Sequence, residues 1–311
     1  MYEAILAELQ AFDTIIIHRH HKPDGDAVGS QTGLKYLLKE NYPQKEVYAV
    51  GDGPGFYSFV EDSGVDEIPD SKYENALAVI LDCGGANMVS DDRYKLARKT
   101  VRIDHHLFTG AFADVEVIDS SYESCCGMIA HLAMESGLRL NETAAKALYT
   151  GMVTDSGRFR YDATTSRTFT LASFLLETKF DVTEIYRPLY ADSFESKKLK
   201  AQFILKIRFT KNNVAYIYTT KEEFDALGVD VFTVSRGMVN TMADIKNVNI
   251  WCNFTETEKG VLCEIRSGIQ NINPIAVKYG GGGHAKASGA TVADRETAMA
   301  MLQDLDALAG E

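Results

Sequence analysis

Three apolar runs in this chain each stop at residues that carry an acid or an imidazole, and that arrangement limits the fold more than any other feature of the sequence. Phe12 to Ile17 leads into His18, His20, His21, Asp24 and Asp26, Ala76 to Leu81 ends at Asp82, and Thr100 to Ile103 ends at Asp104, His105 and His106. The middle run, ALAVIL, has no polar alternation and reads as a strand buried on both faces. In an open parallel α/β sheet, ligands bind beyond the carboxyl ends of the strands. Single charged residues after strands are ordinary turn chemistry, but three such ends carrying imidazole and carboxylate are not. The expectation is an α/β amino-terminal domain, with a mainly parallel sheet flanked by helices and its chemistry at that edge.

The intervening segments fit this plan. A helix with Asp26 as its N-cap is expected from Ala27 to Lys39, a strand near Val47 to Val50 and another from Val115 to Ile118. Helices are expected over 125–136 and 142–154, the second running into Asp155, and further ones over 165–177 and 182–190. The charged stretch 195–200 then changes the pattern. Strands are expected at 203–210 and 214–219, a helix near 234–243, strands at 248–255 and 260–267, a glycine-rich loop at 280–289 and a last helix over 295–308. This predicts a domain over 1–190, a linker over 191–203 and a smaller α+β domain over 204–311.

A chain of 311 residues with 45% hydrophobic content can supply a core to each of two domains. Its formal net charge of −12 argues against the extended basic surface that binds long nucleic acid. An anionic substrate would have to be attracted locally, and metal ions held by the clustered carboxylates would do so. Five cysteines without a C-x-x-C pair give neither a zinc knuckle nor an evident disulfide framework, which suits a reducing cytoplasm. The acidic, amphipathic start MYEAILAELQAFD is neither a signal peptide nor an anchor, and no apolar run approaches the ~20 residues that cross a bilayer, so no membrane partner is expected. Sequence alone does not decide between a monomer and a homodimer.

Imidazole nitrogen and carboxylate oxygen together satisfy Mn²⁺, Fe²⁺ or Zn²⁺. A polar surface loop is the plain alternative for 18–26. A Ca²⁺ loop of the D-x-D type is excluded, because Val28 occupies the fifth loop position and Lys35 the twelfth, where oxygen ligands are required.

Taken together, HRHHKPDGDAVGS at 18–30, Asp82, the triplet Asp104-His105-His106, TGMVTDSGRF at 150–159 and GGGGHAKASGA at 280–290 resemble the DHH family of phosphoesterases over nearly the whole chain, including its associated carboxyl-terminal domain. The small two-domain members most similar to this chain are nanoRNases that also dephosphorylate 3′-phosphoadenosine 5′-phosphate (pAp). The resemblance implies one metal held by His20, Asp24 and Asp82 and a second by Asp26, Asp82, His105 and Asp155, with Asp82 bridging. Two such ions, most simply Mn²⁺, would share a hydroxide that attacks phosphorus in line. Short RNA oligonucleotides and pAp are then the expected substrates.

By the same resemblance His106 faces the substrate phosphate as donor or general acid. Asp104 reads as a carboxylate that orients a neighbour, because adjacent residues on an extended chain point oppositely. His18 and His21 are expected to support rather than coordinate. Arg158, just past Asp155, is placed for a bidentate phosphate contact or a salt bridge. In the second domain Gly282 and Gly283 leave backbone N–H groups open to an anion, His284 adds a side-chain donor, and Arg266 is the further phosphate contact the family suggests.

Cys83 and Gly127 depart from the family pattern, which more often has threonine and an acidic residue there. Neither departure removes a ligand. A phosphodiesterase for cyclic or linear dinucleotides is the rival within the same chemistry, and a non-catalytic nucleotide sensor the rival outside it. An exonuclease on long single strands would need a basic, aromatic-lined channel that so acidic a chain has little room for. A pyrophosphatase of this family would carry a different carboxyl-terminal signature.

Overall fold

The computed structural model describes residues 2–311, which divide into two compact units meeting between Ala191 and Asp192. The first unit contains α1 (Glu3–Ala11), β1 (Thr14–His18), α2 (Gly25–Asn41), β2 (Glu46–Ala49), β3 (Leu77–Leu81), β4 (Lys99–Asp104), β5 (Val115–Ile118), α3 (Cys125–Glu135), α4 (Glu142–Asp155), α5 (Ser166–Leu176) and α6 (Thr183–Tyr190). Its five strands are all parallel, in the order β2-β1-β3-β4-β5. The order reverses between β1 and β3, so a crevice opens beyond their carboxyl ends. One face, with Ile15, Ile17, Val79, Leu81, Val101 and Ile103, packs against apolar residues of α1 to α5. The other, with Ile16, Ala78 and Ile80, is covered by Val50, Tyr73, Val89 and Tyr94 from short 3₁₀ turns and the loops around them.

Helix α2 lies unusually close to α4 because its contact edge carries glycine at every fourth residue. A β-carbon at Gly29 would come within 2.5 Å of the Ala147 carbonyl, one at Gly33 within 2.5 Å of the Leu148 side chain, and one at Gly25 within 2.3 Å of Thr154. That approach sets the start of α2, where Asp26 lies, beside the end of α4, where Asp155 lies. The N-cap of α2 is Asp24, not the expected Asp26. Asp24 is extended, and its Oδ1 accepts the N–H groups of Asp26 and Ala27 at 3.0 Å each. Capping by Asp24 leaves Asp26 inside the first turn with its side chain free for other work.

The second unit contains α7 (Phe194–Lys206), β6 (Arg208–Phe209), β7 (Ala215–Thr219), α8 (Lys221–Leu227), α9 (Val231–Val239), β8 (Ile250–Thr257), β9 (Gly260–Ser267), α10 (Asn273–Lys278), β10 (Gly282–His284), β11 (Ala287–Val292) and α11 (Arg295–Ala309). Its six strands run β10-β11-β9-β8-β7-β6, with only the β7–β8 pair parallel. Helices α10 and α11 pack on one face, while α7 and α9 pack on the other.

Two expectations for this unit are corrected. The first half of the strand expected over 203–210 is the end of α7, and only Arg208–Phe209 pairs in the sheet. FILKIRF looks strand-like because nearly every residue is apolar or long. Ser193 caps the helix through its Oγ, and Leu199 and Phe203, one turn apart, supply its inward contacts. The glycine-rich segment is a hairpin rather than a loop, with Gly282 opposite Gly289 and His284 opposite Ala287. Helices α8 and α10 were not foreseen, being short and bounded by turns that hide their period.

Candidate metal centre

The carboxyl ends of β1, β3 and β4, the start of α2 and the end of α4 converge on one point. Asp82 sits at its middle, 2% exposed, directly after β3 and with a left-handed φ of +55°. Aspartate tolerates that conformation better than most residues, and it turns the carboxylate sideways across the strand ends. Oδ2 of Asp82 lies 3.5 Å from Nε2 of His20, and Oδ1 lies 3.6 Å from Nε2 of His105. On the first side Asp24 approaches Nε2 of His20 at 3.6 Å. On the second, Asp26 and Asp155 approach Nε2 of His105 at 3.7 and 3.4 Å.

Both imidazoles are oriented through their other nitrogen. Nδ1 of His20 lies 2.9 Å from the carbonyl of His21, and Nδ1 of His105 lies 3.4 Å from that of Tyr122. A carbonyl only accepts, so each Nδ1 carries the hydrogen and each Nε2 faces the carboxylates, the arrangement found behind metal-ligating histidines. Asp26 is fixed by the amino terminus of α3, its two oxygens accepting the N–H groups of Cys125 at 2.7 Å and Cys126 at 2.8 Å.

The electrostatics call for cations. Burial opposes a proton on His20, but Asp24 and Asp82 outweigh it and push that pKa up to about 11. Burial is likewise outweighed at His105 by Asp82, Asp26 and Asp155, which raise it to about 10. Burial lifts Asp155 to about 7, with the charges of Asp82 and Asp24 adding to it against the pull of His105. Burial, then the charges of Asp82 and Asp155, raise Asp26 well above the carboxylate range. Asp82 is held low, its own burial overcome by the two imidazoles. A site that drags protons onto its histidines and carboxylates would be satisfied by divalent ions instead. Oδ1 of Asp82 is buried without a hydrogen-bond partner, and two groups of donors, His20-Asp24-Asp82 and Asp26-His105-Asp155, each lie within 4.8 Å. These residues therefore fit a pair of divalent metals with Asp82 between them.

A third group, Asp82-His105-His106, is equally compact. Nδ1 of His106, however, already donates to Oδ1 of Asp104 at 2.7 Å, and coordination there would break that bond. Asp104 is fully buried, and its Oδ2 accepts from Arg102 at 2.6 Å. His18 lies in the core against Tyr73 and Tyr94, where burial lowers its pKa to about 4. His21 is exposed and lies 2.9 Å from the carbonyl of Met88.

Arg158 follows Asp155 in a left-handed turn made by Gly157, Arg158 and Phe159 in succession, and its guanidinium sits 4.9 Å above the ring of Tyr190. In the second unit, His284, Ala287 and Arg266 are aligned on one rung across β10, β11 and β9. Opposite residues of antiparallel strands share a face, so the small Ala287 leaves His284 and Arg266 unobstructed across it. Gly282 and Gly283 belong to the edge strand, where successive N–H groups point to opposite sides, so of the two expected to be open to an anion one is directed at β11 and the other faces outward, unpaired in the sheet. Arg266 is paired with Glu264 at 3.1 Å.

Sequence reasoning overlooked Arg102, Glu116 and Glu123. A charged residue inside the strand run TVRI was the available signal for Arg102. Gly127 now has a reason: a β-carbon there would lie 2.2 Å from Oε1 of Glu123, a buried carboxylate held by Thr168 at 2.9 Å. Cys83 is buried, donates to the Leu81 carbonyl and has its thiol pKa raised by burial, so it is an inert packing residue.

Comparison with known proteins agrees in both units. Residues 14–152 match the DHH family N-terminal domain and residues 230–311 the DHHA1 domain. The chain is 33% identical to the bifunctional oligoribonuclease and PAP phosphatase NrnA of Bacillus subtilis, covering all of this chain and 99% of that protein. It is 35% identical to the probable enzyme of the same name in Streptococcus mutans, over 93% of each. The crystal structure of an exopolyphosphatase-related protein from Bacteroides fragilis superposes with a TM-score of 0.86 at 26% identity, covering 99% of this chain and 97% of that one. With full-length relatives at this identity and its strand ends built around Asp82 and Asp104-His105-His106, the chain belongs to the DHH family, carrying the DHHA1 domain at its carboxyl end.

Proposed function

We propose that this chain is a divalent-metal phosphoesterase that hydrolyses short oligoribonucleotides to mononucleotides and pAp to AMP and phosphate. The observation that carries the reading is the division of Asp82 between two imidazole-carboxylate sets. The activity named for the relatives from Bacillus subtilis and Streptococcus mutans gives the substrate class. Bound at the two sets, divalent ions, Mn²⁺ best among them for a mixed nitrogen and carboxylate site, supply charge neutralisation at the phosphoryl group and an activated water.

The chain's own residues supply the rest. Asp104 holds Nδ1 of His106, which keeps the ring in one orientation and leaves Nε2 as the atom that can meet a phosphoryl oxygen or a leaving group. The hydrogen bond to Asp104, with the charge of Asp82 adding and burial opposing, raises the His106 pKa, which favours a ring that carries a hydrogen on both nitrogens. Arg158, His284, Arg266 and the one outward-facing N–H group of the Gly282–Gly283 pair serve as contacts to the remaining phosphate or nucleoside.

The test is a substrate panel after chelation and readdition of Mn²⁺, Mg²⁺ or Zn²⁺, reading kcat/KM on pAp, a diribonucleotide, a 24-nucleotide RNA and cyclic di-AMP. Turnover of pAp and the diribonucleotide, restored best by Mn²⁺ and much slower on the long RNA, is expected. Preference for cyclic di-AMP would transfer the assignment to the cyclic-dinucleotide class. Full activity in excess chelator would remove the metal reading, and binding without turnover of any substrate would make the chain a sensor.

A further inference from the structure

Arg102 is among the largest fully buried side chains of the protein, with none of its surface exposed. On β4 it alternates with Val101 and Ile103, which face the helices, and shares the opposite face with Asp104. Its Nη2 donates to Oδ2 of Asp104 at 2.6 Å. Directly across the sheet, in register on β5, Glu116 approaches its Nη1 at 3.6 Å. Nη1 also donates to the Gly110 carbonyl at 3.3 Å, the ring of Phe112 lies 4.6 Å from the guanidinium carbon, and Nε has no partner.

A buried ion pair of this kind is a weak source of stability, because apolar residues of the same volume would often do as well. What it does here is directional. Asp104 uses one oxygen for Arg102 and the other for Nδ1 of His106, at 2.6 and 2.7 Å. The same guanidinium and Glu116 also anchor the segment that follows His106: Glu116 accepts from the N–H groups of Phe112 and Ala113 at 2.9 and 3.1 Å, while Arg102 holds Gly110. The ring of His106 is thus fixed from its carboxylate partner and from the chain beyond it by one buried cation.

We infer that Arg102 is a positioning residue for the hydrolytic reaction, acting through Asp104 to set the orientation of His106, with Glu116 as the counter-charge that keeps the guanidinium in place. The inference rests on the phosphoesterase reading given above. It gives the charged residue within β4 a purpose that metal ligation does not.

The experiment is a double-mutant cycle between Arg102→Met and His106→Ala, in protein loaded with Mn²⁺, with melting temperature and bound metal measured for every variant. Arg102→Met alone is expected to keep the wild-type metal content and to lower kcat about 10- to 100-fold with KM within about threefold, part of the roughly 10²- to 10⁴-fold that a positioned general acid contributes. In the His106→Ala background the same substitution is expected to lower kcat by no more than about twofold, because the group it positions is gone. Arg102→Lys, which keeps the charge without the planar fork, should recover part of the activity, and it takes the place of the methionine variant in the cycle if that protein does not fold. Equal losses in both backgrounds, loss of metal, or wild-type kcat in both Arg102 variants would overturn the inference. Wild-type turnover of pAp and the diribonucleotide tests the functional reading separately. If both are inert while bis-p-nitrophenyl phosphate is cleaved, the substrate assignment fails alone and the cycle is run on that diester.

Discussion

Oδ2 of Asp82 lies 3.5 Å from Nε2 of His20, with the other oxygen of the same carboxylate turned away toward His105. One carboxylate therefore belongs to the His20-Asp24-Asp82 group through one oxygen and lies against His105 of the Asp26-His105-Asp155 group through the other. Asp82→Ala should lose most bound metal and lower kcat by about 10³-fold or more. Metal analysis beside steady-state kinetics checks this. A variant that keeps two ions and near-normal turnover would show that Asp82 does not bridge.

Metal uptake should expel protons. In the metal-free protein His20 and His105 hold their second proton up to about 11 and about 10, so at pH 7.5 both Nε2 atoms are occupied. A divalent ion needs those lone pairs, and metal affinity must rise with pH until the imidazoles lose the proton by themselves. Calorimetric titration in buffers of different ionisation enthalpy should show at least two protons released per chain near neutral pH, the imidazoles' two and any held by Asp26 or Asp155. No release would mean that the histidines are not ligands.

Gly29 should not tolerate a side chain. The β-carbon of Gly29→Ala would meet the Ala147 carbonyl at 2.5 Å and Sγ of Cys126 at 2.9 Å, and backbone cannot move aside as a flexible side chain would. A loss of roughly 1–3 kcal/mol in denaturant unfolding is expected, with weakened metal binding as Asp26 and Asp155 move apart. Unchanged stability and metal affinity would count against the close helix contact as the device that sets their spacing.

His284 should separate substrate binding from metal binding. It stands on the edge strand of the second sheet, on the rung shared with Arg266. His284→Ala is expected to keep the wild-type metal content while kcat/KM on pAp falls about 10- to 100-fold, the loss of one charge-assisted hydrogen bond. A variant that loses metal, or one with unaltered kinetics, would contradict that division of roles.

Local chemistry was enough to place the parallel strands of the first unit, to mark Asp82, Asp104, His105 and His106 at their ends, and to set α4 running into Asp155, because strand periodicity and the types of metal-compatible side chain are written in neighbouring residues. Several features depended on partners distant in the chain. Asp24 rather than Asp26 became the cap because Cys125 and Cys126, about a hundred residues later, offer N–H groups that Asp26 accepts. FILKIRF became mostly helix because a packing face at Leu199 and Phe203 outweighed a strand-like composition. The glycine run became an edge strand because β11 was there to pair with it. The path from Arg102 through Asp104 to His106 exists only once a strand face and the adjacent β5 bring their charges together, since side-chain contacts between strands are fixed by register and not by sequence distance.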